Sequence, residues 1–480
     1  MLYRGRVQPR RRTPVLGIAI VVIGALLVAG AGYALFRVLF APKPKIVLAQ
    51  PFATVGRNAP LVLDITEHRY GVRAVRVTIT QGKDEKVVLD ENYEPPKRDV
   101  QVKWAPAQER RFRLTEGPGK LQVRARAAKF GPFKGRGASL DQDFTAHLVP
   151  PRLEVLTTQD YVNQGGCDMI VYKVSPPSAE SGVLVGSDRF FRGFPVPGGK
   201  DPAVRFAIFA YPYDVPAGTP VRLRARDEAG NETLASFWIK IFPKTFRTRE
   251  LDLIDEFLNK VVPEIMSQTP SLPDQGDLLK NFLSINRDLR KQNNQQVREM
   301  SAKSKPQFLW TEPFRQLSNS QVEAQFADHR TYKYQGKEVD RQDHLGYDLA
   351  TNANNPIAAA NDGVVMMAEF FGIYGNTIVI DHGYGLLSLY GHMSSFAVKE
   401  GDPVKRGQII GQSGATGLAG GDHLHFSMIL QGEQVDAREW WDPHWIQDRV
   451  MAKLRQFGSG APGASTSPGP AARPPATKRS

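Results

Sequence analysis

The sequence predicts a mainly β protein of several domains that follow one membrane-spanning helix. Residues 15–36 carry no charged side chain, short stretches of alternating apolar and polar residues fill much of the chain, and helical periodicity is confined to one stretch near residue 260. A chain of 480 residues is long enough for three or four domains. The predicted order is a cytoplasmic basic segment (1–14), a transmembrane helix (15–36), two β-sandwich modules of the Ig-like type (46–149 and 150–243), a helical connector (244–302), an antiparallel β domain (303–449) and a disordered tail (456–480).

The apolar run 15–36 is long enough to cross a bilayer as a helix. The segment before it contains arginines and no acidic residue, which predicts that the amino terminus stays in the cytoplasm. A cleaved signal peptide is the alternative, with Ala29-Gly-Ala31 as its processing site. Signal peptides usually have apolar cores of about 7–15 residues, so the longer run here favours an uncleaved anchor. We therefore expect a single-pass protein of the inner (cytoplasmic) membrane with its remaining domains outside the cytoplasm.

Two stretches after the anchor show the alternation of half-buried strands. In the first, the predicted strands are 74–80, 86–89 and 121–126, and in the second they are 203–209, 221–226 and 235–241. Gly, Pro and Asp residues separate these strands, as they do in sandwiches. The modules either bind partners in the cell envelope or act only as spacers.

Residues 244–302 change to a helical period. The apolar residues then recur every three or four positions, at Leu251, Ile254, Leu258, Val261 and Ile265, and again at Leu278, Phe282, Ile285 and Leu289. Pro270 and Pro273 separate the two groups, which predicts a helical hairpin. This hairpin either connects the neighbouring domains or shields a substrate groove.

Charge and cysteine content limit the possible partners. The formal net charge of +13 suits an anionic environment such as wall polymers or lipid headgroups. No nucleic-acid recognition motif accompanies it, and the basic residues are spread along the chain. The single cysteine, Cys167, excludes an intrachain disulfide and is expected to be a small buried residue.

Five residues between 344 and 426 carry the chemistry of a metal site, namely His344, Asp348, His392, His423 and His425. Four imidazoles and one carboxylate suffice for a zinc site with three protein ligands, one open position and spare bases. Side chains alternate along a strand, so an extended 344–348 would place His344, Gly346 and Asp348 on one face, with the glycine leaving room for a metal. His423 and His425 share a face for the same reason. The competing interpretation is a set of structural polar residues.

The motifs around these residues resemble those of the LytM/lysostaphin-type zinc endopeptidases, which cut peptide cross-links of bacterial peptidoglycan. The resemblance covers roughly residues 325–445. The matching segments are His-Leu-Gly-Tyr-Asp-Leu-Ala (344–350), Pro-Ile-Ala-Ala-Ala-Asn-Asp-Gly-Val-Val (356–365), Tyr-Gly-Asn-Thr-Ile-Val-Ile-Asp-His-Gly (374–383), Leu-Tyr-Gly-His-Met (389–393), Val-Lys-Arg-Gly-Gln-Ile-Ile-Gly (404–411) and Gly-Asp-His-Leu-His-Phe (421–426).

The resemblance implies that His344, Asp348 and His425 bind Zn²⁺ and that His392 and His423 form the catalytic pair. It also implies peptidoglycan as the substrate. Two rival functions stay open at this point. The domain could be a non-catalytic regulator or activator of other wall hydrolases, or the protein could be a structural tether that acts through its sandwich modules.

Overall fold

The computed structural model describes residues 15–39, 41–57, 60–105, 114–129 and 135–458. The predicted basic segment 1–14 and residues 459–480 of the predicted tail lie outside the described residues. The chain divides into two compact units. The first runs to Val149 and includes Glu228–Asn231, and the second contains the remainder. The boundaries of the individual modules stay predictions.

The apolar amino-terminal run forms one helix, α1 (Val15–Leu39). Its 25 residues span about 38 Å at the α-helical rise, more than the hydrocarbon thickness of a bilayer. Residues Ala19–Phe36 are not buried within the structure, and Leu26 is 66% exposed. By length and hydropathy α1 is a candidate membrane span, and an amino-terminal signal sequence can meet the same criteria.

The rest of the first unit consists of two sheets that share one hydrophobic core. A three-stranded sheet has the order β1-β3-β6, and a five-stranded sheet has the order β2-β8-β7-β4-β5. The strands are β1 (Lys45–Leu48), β2 (Thr54–Val55), β3 (Leu61–Thr66), β4 (Val72–Gln81), β5 (Asp84–Lys97), β6 (Asp99–Trp104), β7 (Gly117–Ala127) and β8 (Gly137–Ala146). Alternate residues of β3 and β4 fill the core between the sheets, which agrees with the predicted sandwich.

The second unit begins with two further four-stranded sheets, of orders β14-β15-β11-β9 and β13-β12-β16-β17, and a parallel pair β10-β18. The strands are β9 (Arg152–Val155), β10 (Asp160–Asn163), β11 (Cys167–Ser175), β12 (Glu180–Val185), β13 (Arg189–Arg192), β14 (Phe194–Pro195), β15 (Val204–Ala210), β16 (Val221–Arg226), β17 (Glu232–Ser236) and β18 (Ile239–Phe242). The predicted single strand 235–241 is wrong. The chain leaves the sheet after Ser236, and β18 pairs instead with β10.

The connector starts with a strand, β19 (Thr248–Leu253), rather than a helix. Leu251 was expected in the helical pattern, but Thr248–Leu253 alternates and pairs in parallel with a strand of the C-terminal domain. The helices follow as α2 (Asp255–Gln268), α3 (Leu278–Ser284), a π-helical segment (Ile285–Leu289) and α4 (Arg290–Ser301). The Asp277 side chain caps α3 by accepting a hydrogen bond from the Lys280 N–H at 2.9 Å. The predicted hairpin, broken near the two prolines, is confirmed.

The C-terminal domain is built on an eight-stranded sheet of order β20-β23-β31-β27-β26-β25-β29, with β32 on β31. Two three-stranded sheets, β19-β21-β22 and β24-β30-β28, complete it. Its strands are β20 (Gln321–Ala324), β21 (Asp328–Tyr334), β22 (Lys337–His344), β23 (Tyr347–Ala350), β24 (Pro356–Ala358), β25 (Gly363–Phe370), β26 (Asn376–Asp381), β27 (Leu386–Met393), β28 (Ser395–Phe396), β29 (Pro403–Val404), β30 (Ile409–Gln412), β31 (Leu424–Leu430) and β32 (Glu433–Val435). A 3₁₀ turn (Gly372–Tyr374) precedes β26.

The described part of the chain ends with short helices: α5 (Ala437–Trp441), α6 (Pro443–Trp445), a π-helical segment (Ile446–Met451) and α7 (Ala452–Phe457). Because α7 runs through Phe457, the predicted tail begins too early at residue 456.

The central strands of the large sheet are buried on both faces. Val379, Leu387 and Leu389 pack against the connector helices. The alternate residues Ile378 and Tyr390 belong to the core that includes the second sandwich. The connector and the second sandwich therefore form the two layers that cover the sheet carrying the predicted site.

Candidate metal centre

His344 and Asp348 reach the site from two different sheets. His344 ends β22, whereas Asp348 lies in β23, and the chain bends between them. The expected continuous extended segment is therefore wrong, because β22 pairs with β21 while β23 pairs with β20 and β31. A Cβ on Gly346 would lie 2.5 Å from Ser427 Oγ and 2.6 Å from His425 Nε2. The glycine thus makes room for these two side chains rather than directly for a metal.

Strand pairing brings the third predicted ligand to the same point. Asp348 stands opposite His425 in the antiparallel ladder of β23 and β31. His344 Nε2 lies 2.9 Å from Asp348 Oδ1 and 3.1 Å from His425 Nδ1, and His425 Nδ1 lies 3.0 Å from Asp348 Oδ1. All three side chains are buried or nearly so. The sequence-predicted triad thus converges within hydrogen-bond distances.

Outer hydrogen bonds orient both imidazoles of this triad. His344 Nδ1 lies 2.9 Å from the Gln325 carbonyl oxygen, which can only accept a hydrogen bond. His425 Nε2 lies 2.9 Å from Ser427 Oγ, and that hydroxyl donates to the Leu345 carbonyl at 2.7 Å. In the neutral rings the outer nitrogens therefore carry the hydrogens, and His344 Nε2 and His425 Nδ1 turn lone pairs inward.

Two nitrogen lone pairs and a carboxylate oxygen facing one another need a cation between them. Tetrahedral ligands about 2.0–2.1 Å from a zinc ion lie about 3.3 Å apart, close to the separations found here. The inner atoms of His344, Asp348 and His425 thus fit a divalent metal ion. Outer partners of this kind are typical of metal-binding histidines.

His392 and His423 stand beside the triad. His392, on β27, donates from Nδ1 to the Thr416 carbonyl at 2.8 Å, and His423 donates from Nδ1 to the Gly421 carbonyl at 2.9 Å. Their ring centroids are 4.8 Å apart. Among the described residues His392 Nε2 has no hydrogen-bond partner, whereas His423 Nε2 lies 3.5 Å from Asp348 Oδ1. His392 has a φ of 62°, in the left-handed region that costs a non-glycine residue energy and is common at functional sites.

The surroundings move the pKa values of the two histidines in opposite directions. Burial, and then the proximity of His423 and His425, hold the pKa of His392 well below its usual range. Burial would also lower the pKa of His423, but its hydrogen bond to Asp348, the charge of that carboxylate and the hydrogen bond to the Gly421 carbonyl together raise it. Burial alone would raise the pKa of Asp348, but the imidazoles of His344, His423 and His425 hold it well below its usual range.

Arg330 is a site residue that the sequence analysis missed. Its Nη2 donates to Asp348 Oδ2 at 2.9 Å, on the far side of the carboxylate from the histidines. Its neighbour His329 contacts Asp343 at 2.6 Å and does not line the cleft. The period of two along β21 would have identified Arg330 if the inward face of that strand had been known.

The triad opens into a cleft of about 270 Å³. Tyr374 and Leu418 line one part of it. The connector contributes Leu251, Phe257 and Arg290 to the lining. The connector is therefore part of the wall of the cleft, whichever of its two predicted roles it has.

Comparison with known proteins identifies the family of the segment that carries the five predicted site residues. Residues 342–437 match the model of peptidase family M23. Residues 342–437 form a family M23 peptidase domain. The match includes all five predicted site residues, and it confirms the resemblance to the LytM-type peptidases.

The relatives of this M23 domain are named as wall peptidases. The chain is 43% identical over 94 residues to the peptidoglycan DD-endopeptidase ShyA of Vibrio cholerae, an alignment that covers 20% of this chain and 22% of ShyA. It is 39% identical over 93 residues to the DD-carboxypeptidase/endopeptidase Mpg of Neisseria meningitidis, with 19% and 21% covered. The chain thus spans about a fifth of the length of these curated relatives.

Among solved structures, the catalytic domain of the antimicrobial peptidase lysostaphin from Staphylococcus simulans is 26% identical. That alignment covers 30% of this chain and 96% of the solved domain, with a TM-score of 0.20. The sandwich strands and the connector helices lie outside the residues matched by the M23 model.

Proposed function

We propose that the protein is a membrane-anchored, zinc-dependent endopeptidase that hydrolyses peptide cross-links of bacterial peptidoglycan. The observation that carries this proposal is the convergence of two inward lone pairs and one carboxylate, at His344, His425 and Asp348, beside two further imidazoles. The names of the M23 relatives support the substrate class.

Zinc is the metal that best suits this donor set. Two imidazoles and one carboxylate, with space for a further ligand, form the usual composition of a catalytic zinc site. When bound, zinc acts as a Lewis acid and lowers the pKa of a coordinated water to about 7. Arg330 holds the second oxygen of Asp348, which leaves Oδ1 for the metal.

His392 and His423 provide the proton transfers. The attacking water must lose a proton, and the Nε2 of whichever ring is neutral can accept it. The other ring, when protonated, donates a hydrogen bond to the oxyanion that develops at the scissile carbonyl. Both rings are fixed by carbonyl groups at Nδ1, so either can act without reorienting.

Helix α1 anchors the protein in the inner membrane in this proposal, with the M23 domain on the wall side. The support is the length and exposure of α1 together with the wall substrates of the relatives, which lie outside the cytoplasm.

The experiment is to incubate the full chain, purified in detergent with zinc, with cross-linked wall fragments and to identify the products by mass. We expect the cross-linked peptides to be cut at a peptide bond by the wild-type chain. An Asp348→Ala variant should have lost both its zinc and this activity. Intact cross-links after incubation with zinc-loaded wild-type protein would contradict the proposal.

A regulator of other wall hydrolases is the second candidate. The observation in its favour is that connector residues Leu251 and Phe257 line the metal cleft, where they would restrict access to it. A regulator would leave the fragments intact when alone and would increase their digestion by an added wall hydrolase. A complete set of ligands and bases favours the enzyme.

A further inference from the structure

A second cleft lies next to the metal cleft. It has a volume of about 360 Å³, within the range of ligand-binding pockets. The connector helices α2 and α4 form one side of it, and the end of β25 with Phe371 and Gly372 forms the other. Neither the M23 chemistry nor the predicted triad accounts for this cleft.

One pair of stacked rings separates the two clefts. The Tyr374 ring lines the metal cleft and lies 5.3 Å from the His425 ring, centroid to centroid. Phe371 lines the second cleft, and its ring stacks on Tyr374 at 5.9 Å with an interplanar angle of 8°. Two successive ring contacts thus connect His425 with the second cleft. One polymeric substrate is long enough to occupy both clefts.

Asn293 fixes the loop that carries these rings. Its Oδ1 accepts a hydrogen bond from the Ile373 N–H at 3.1 Å. Gly372 has a φ of 53°, and a Cβ there would lie 2.4 Å from Asn293 Oδ1. The dividing wall is therefore held by the connector helix, and the second cleft is a formed feature of this domain.

The lining of the second cleft is rich in neutral amides. Gln268 ends α2, and Gln292 and Gln296 lie one turn apart on α4. Within the described part of the chain, the side chains of Gln268 and Gln292 make no hydrogen bond. An amide both donates and accepts hydrogen bonds, so it pairs well with hydroxyl and acetamido groups.

The charges of the two clefts differ in sign. In the metal cleft Arg290 and Arg330 balance Asp252 and Asp348, so a bound divalent cation leaves it positive. The second cleft contains Glu299 and Glu369 against one Lys303, which leaves it slightly negative. The anionic peptide of a wall polymer therefore fits the metal cleft, whereas its neutral amino sugars fit the second cleft.

We propose that the second cleft binds the glycan part of the substrate, as N-acetylated amino-sugar units. This inference rests on the proposed wall-peptide hydrolysis and assigns the sugar-binding part of the same substrate to the groove between α2, α4 and β25.

The binding test uses the full chain in detergent and the β-1,4-linked tetramer of N-acetylglucosamine, measured by calorimetry. Each neutral hydrogen bond is worth about a factor of two to ten in affinity. A Gln268→Ala/Gln292→Ala double variant should therefore bind the tetramer about tenfold more weakly. Gln295→Ala, on the same helix but outside the lining, is the matched control and should bind like wild type. Absence of tetramer binding by the wild-type chain would overturn the proposal.

The activity test compares glycan-bearing wall chains with a cross-linked peptide dimer that carries no sugar. The double variant should cut the wall chains about tenfold more slowly at low concentration and the peptide dimer at the wild-type rate. An equal loss on both substrates would show that the cleft binds peptide, and it would refute the glycan assignment. If wild-type protein bound the tetramer but left both substrates intact, the proposed endopeptidase function would fail while the sugar site remained.

Discussion

Replacement of Ser427 by alanine tests how the metal site is oriented. The buried Ser427 hydroxyl accepts the His425 Nε2–H at 2.9 Å and donates to the Leu345 carbonyl at 2.7 Å. Without it, the outer N–H of His425 loses its acceptor. The ring then either keeps an unpaired buried donor or moves its hydrogen to Nδ1, the nitrogen that faces Asp348 and His344.

The magnitude follows from this geometry. An unsatisfied buried donor costs about 1–3 kcal/mol, and loss of a partner that orients a metal ligand typically weakens metal binding by about 10- to 100-fold. The latter corresponds to about 1.4–2.8 kcal/mol, so the two estimates agree. We therefore expect Ser427→Ala to stay folded and to bind zinc about 10- to 100-fold more weakly in competition with a chelator.

Ser388→Ala is the matched control in the same sheet. Ser388 is also a buried serine bonded to a buried histidine, with its Oγ 2.7 Å from His382 Nε2, but His382 does not line the metal cleft. This variant should lose stability without losing zinc affinity. Wild-type zinc affinity in Ser427→Ala, or an equal loss in both variants, would refute the proposed orientation of His425.

Three further predictions concern the ligands, the amino-terminal helix and the packing of α5. His425→Ala should lose zinc and activity, whereas His423→Ala should keep zinc and cut at least about a hundredfold more slowly. If His423→Ala lost the metal and His425→Ala kept it, the assigned roles of the two histidines would be reversed. A reporter fused after residue 45 should lie outside the cytoplasm on a protein that keeps its amino-terminal helix, and a soluble form that begins near Ala31 would show a cleaved signal peptide instead. Burial raises the pKa of Glu439 from its usual 4.5 to about 7. As the pH rises, this carboxyl group therefore loses its proton at a lower pH in the unfolded chain than in the folded chain. The folded state keeps its full stability below pH 4.5 and loses part of it as the pH rises to 7. That loss is about 3 kcal/mol, and Glu439→Gln should remove it from unfolding curves measured across this interval; an unchanged pH slope would contradict the assignment.

The predicted segments that depend on local pattern are the ones that the structure reproduces most closely. The connector helices follow from apolar residues at every third or fourth position, and the amino-terminal helix follows from an uninterrupted apolar run. The metal triad was predicted from motif resemblance, and antiparallel pairing brings Asp348 opposite His425. Thr248–Leu253 was assigned wrongly because Leu251 fits both periods, and only the neighbouring strand β21 decides between them.

By itself, the sequence determined the apolar amino-terminal helix and the mainly β class and predicted the candidate site residues, because each depends on residue identity or on a short-range period. Only the tertiary structure decided that the large sheet is covered on both faces, since every residue of β27 is buried and the local sequence does not indicate which elements cover it. The roles of Arg330 and Ser427 were also decided only by the tertiary structure. Arg330 contacts Asp348 Oδ2, and Ser427 contacts His425 Nε2. Such contacts join residues far apart in the chain, and no local pattern encodes them.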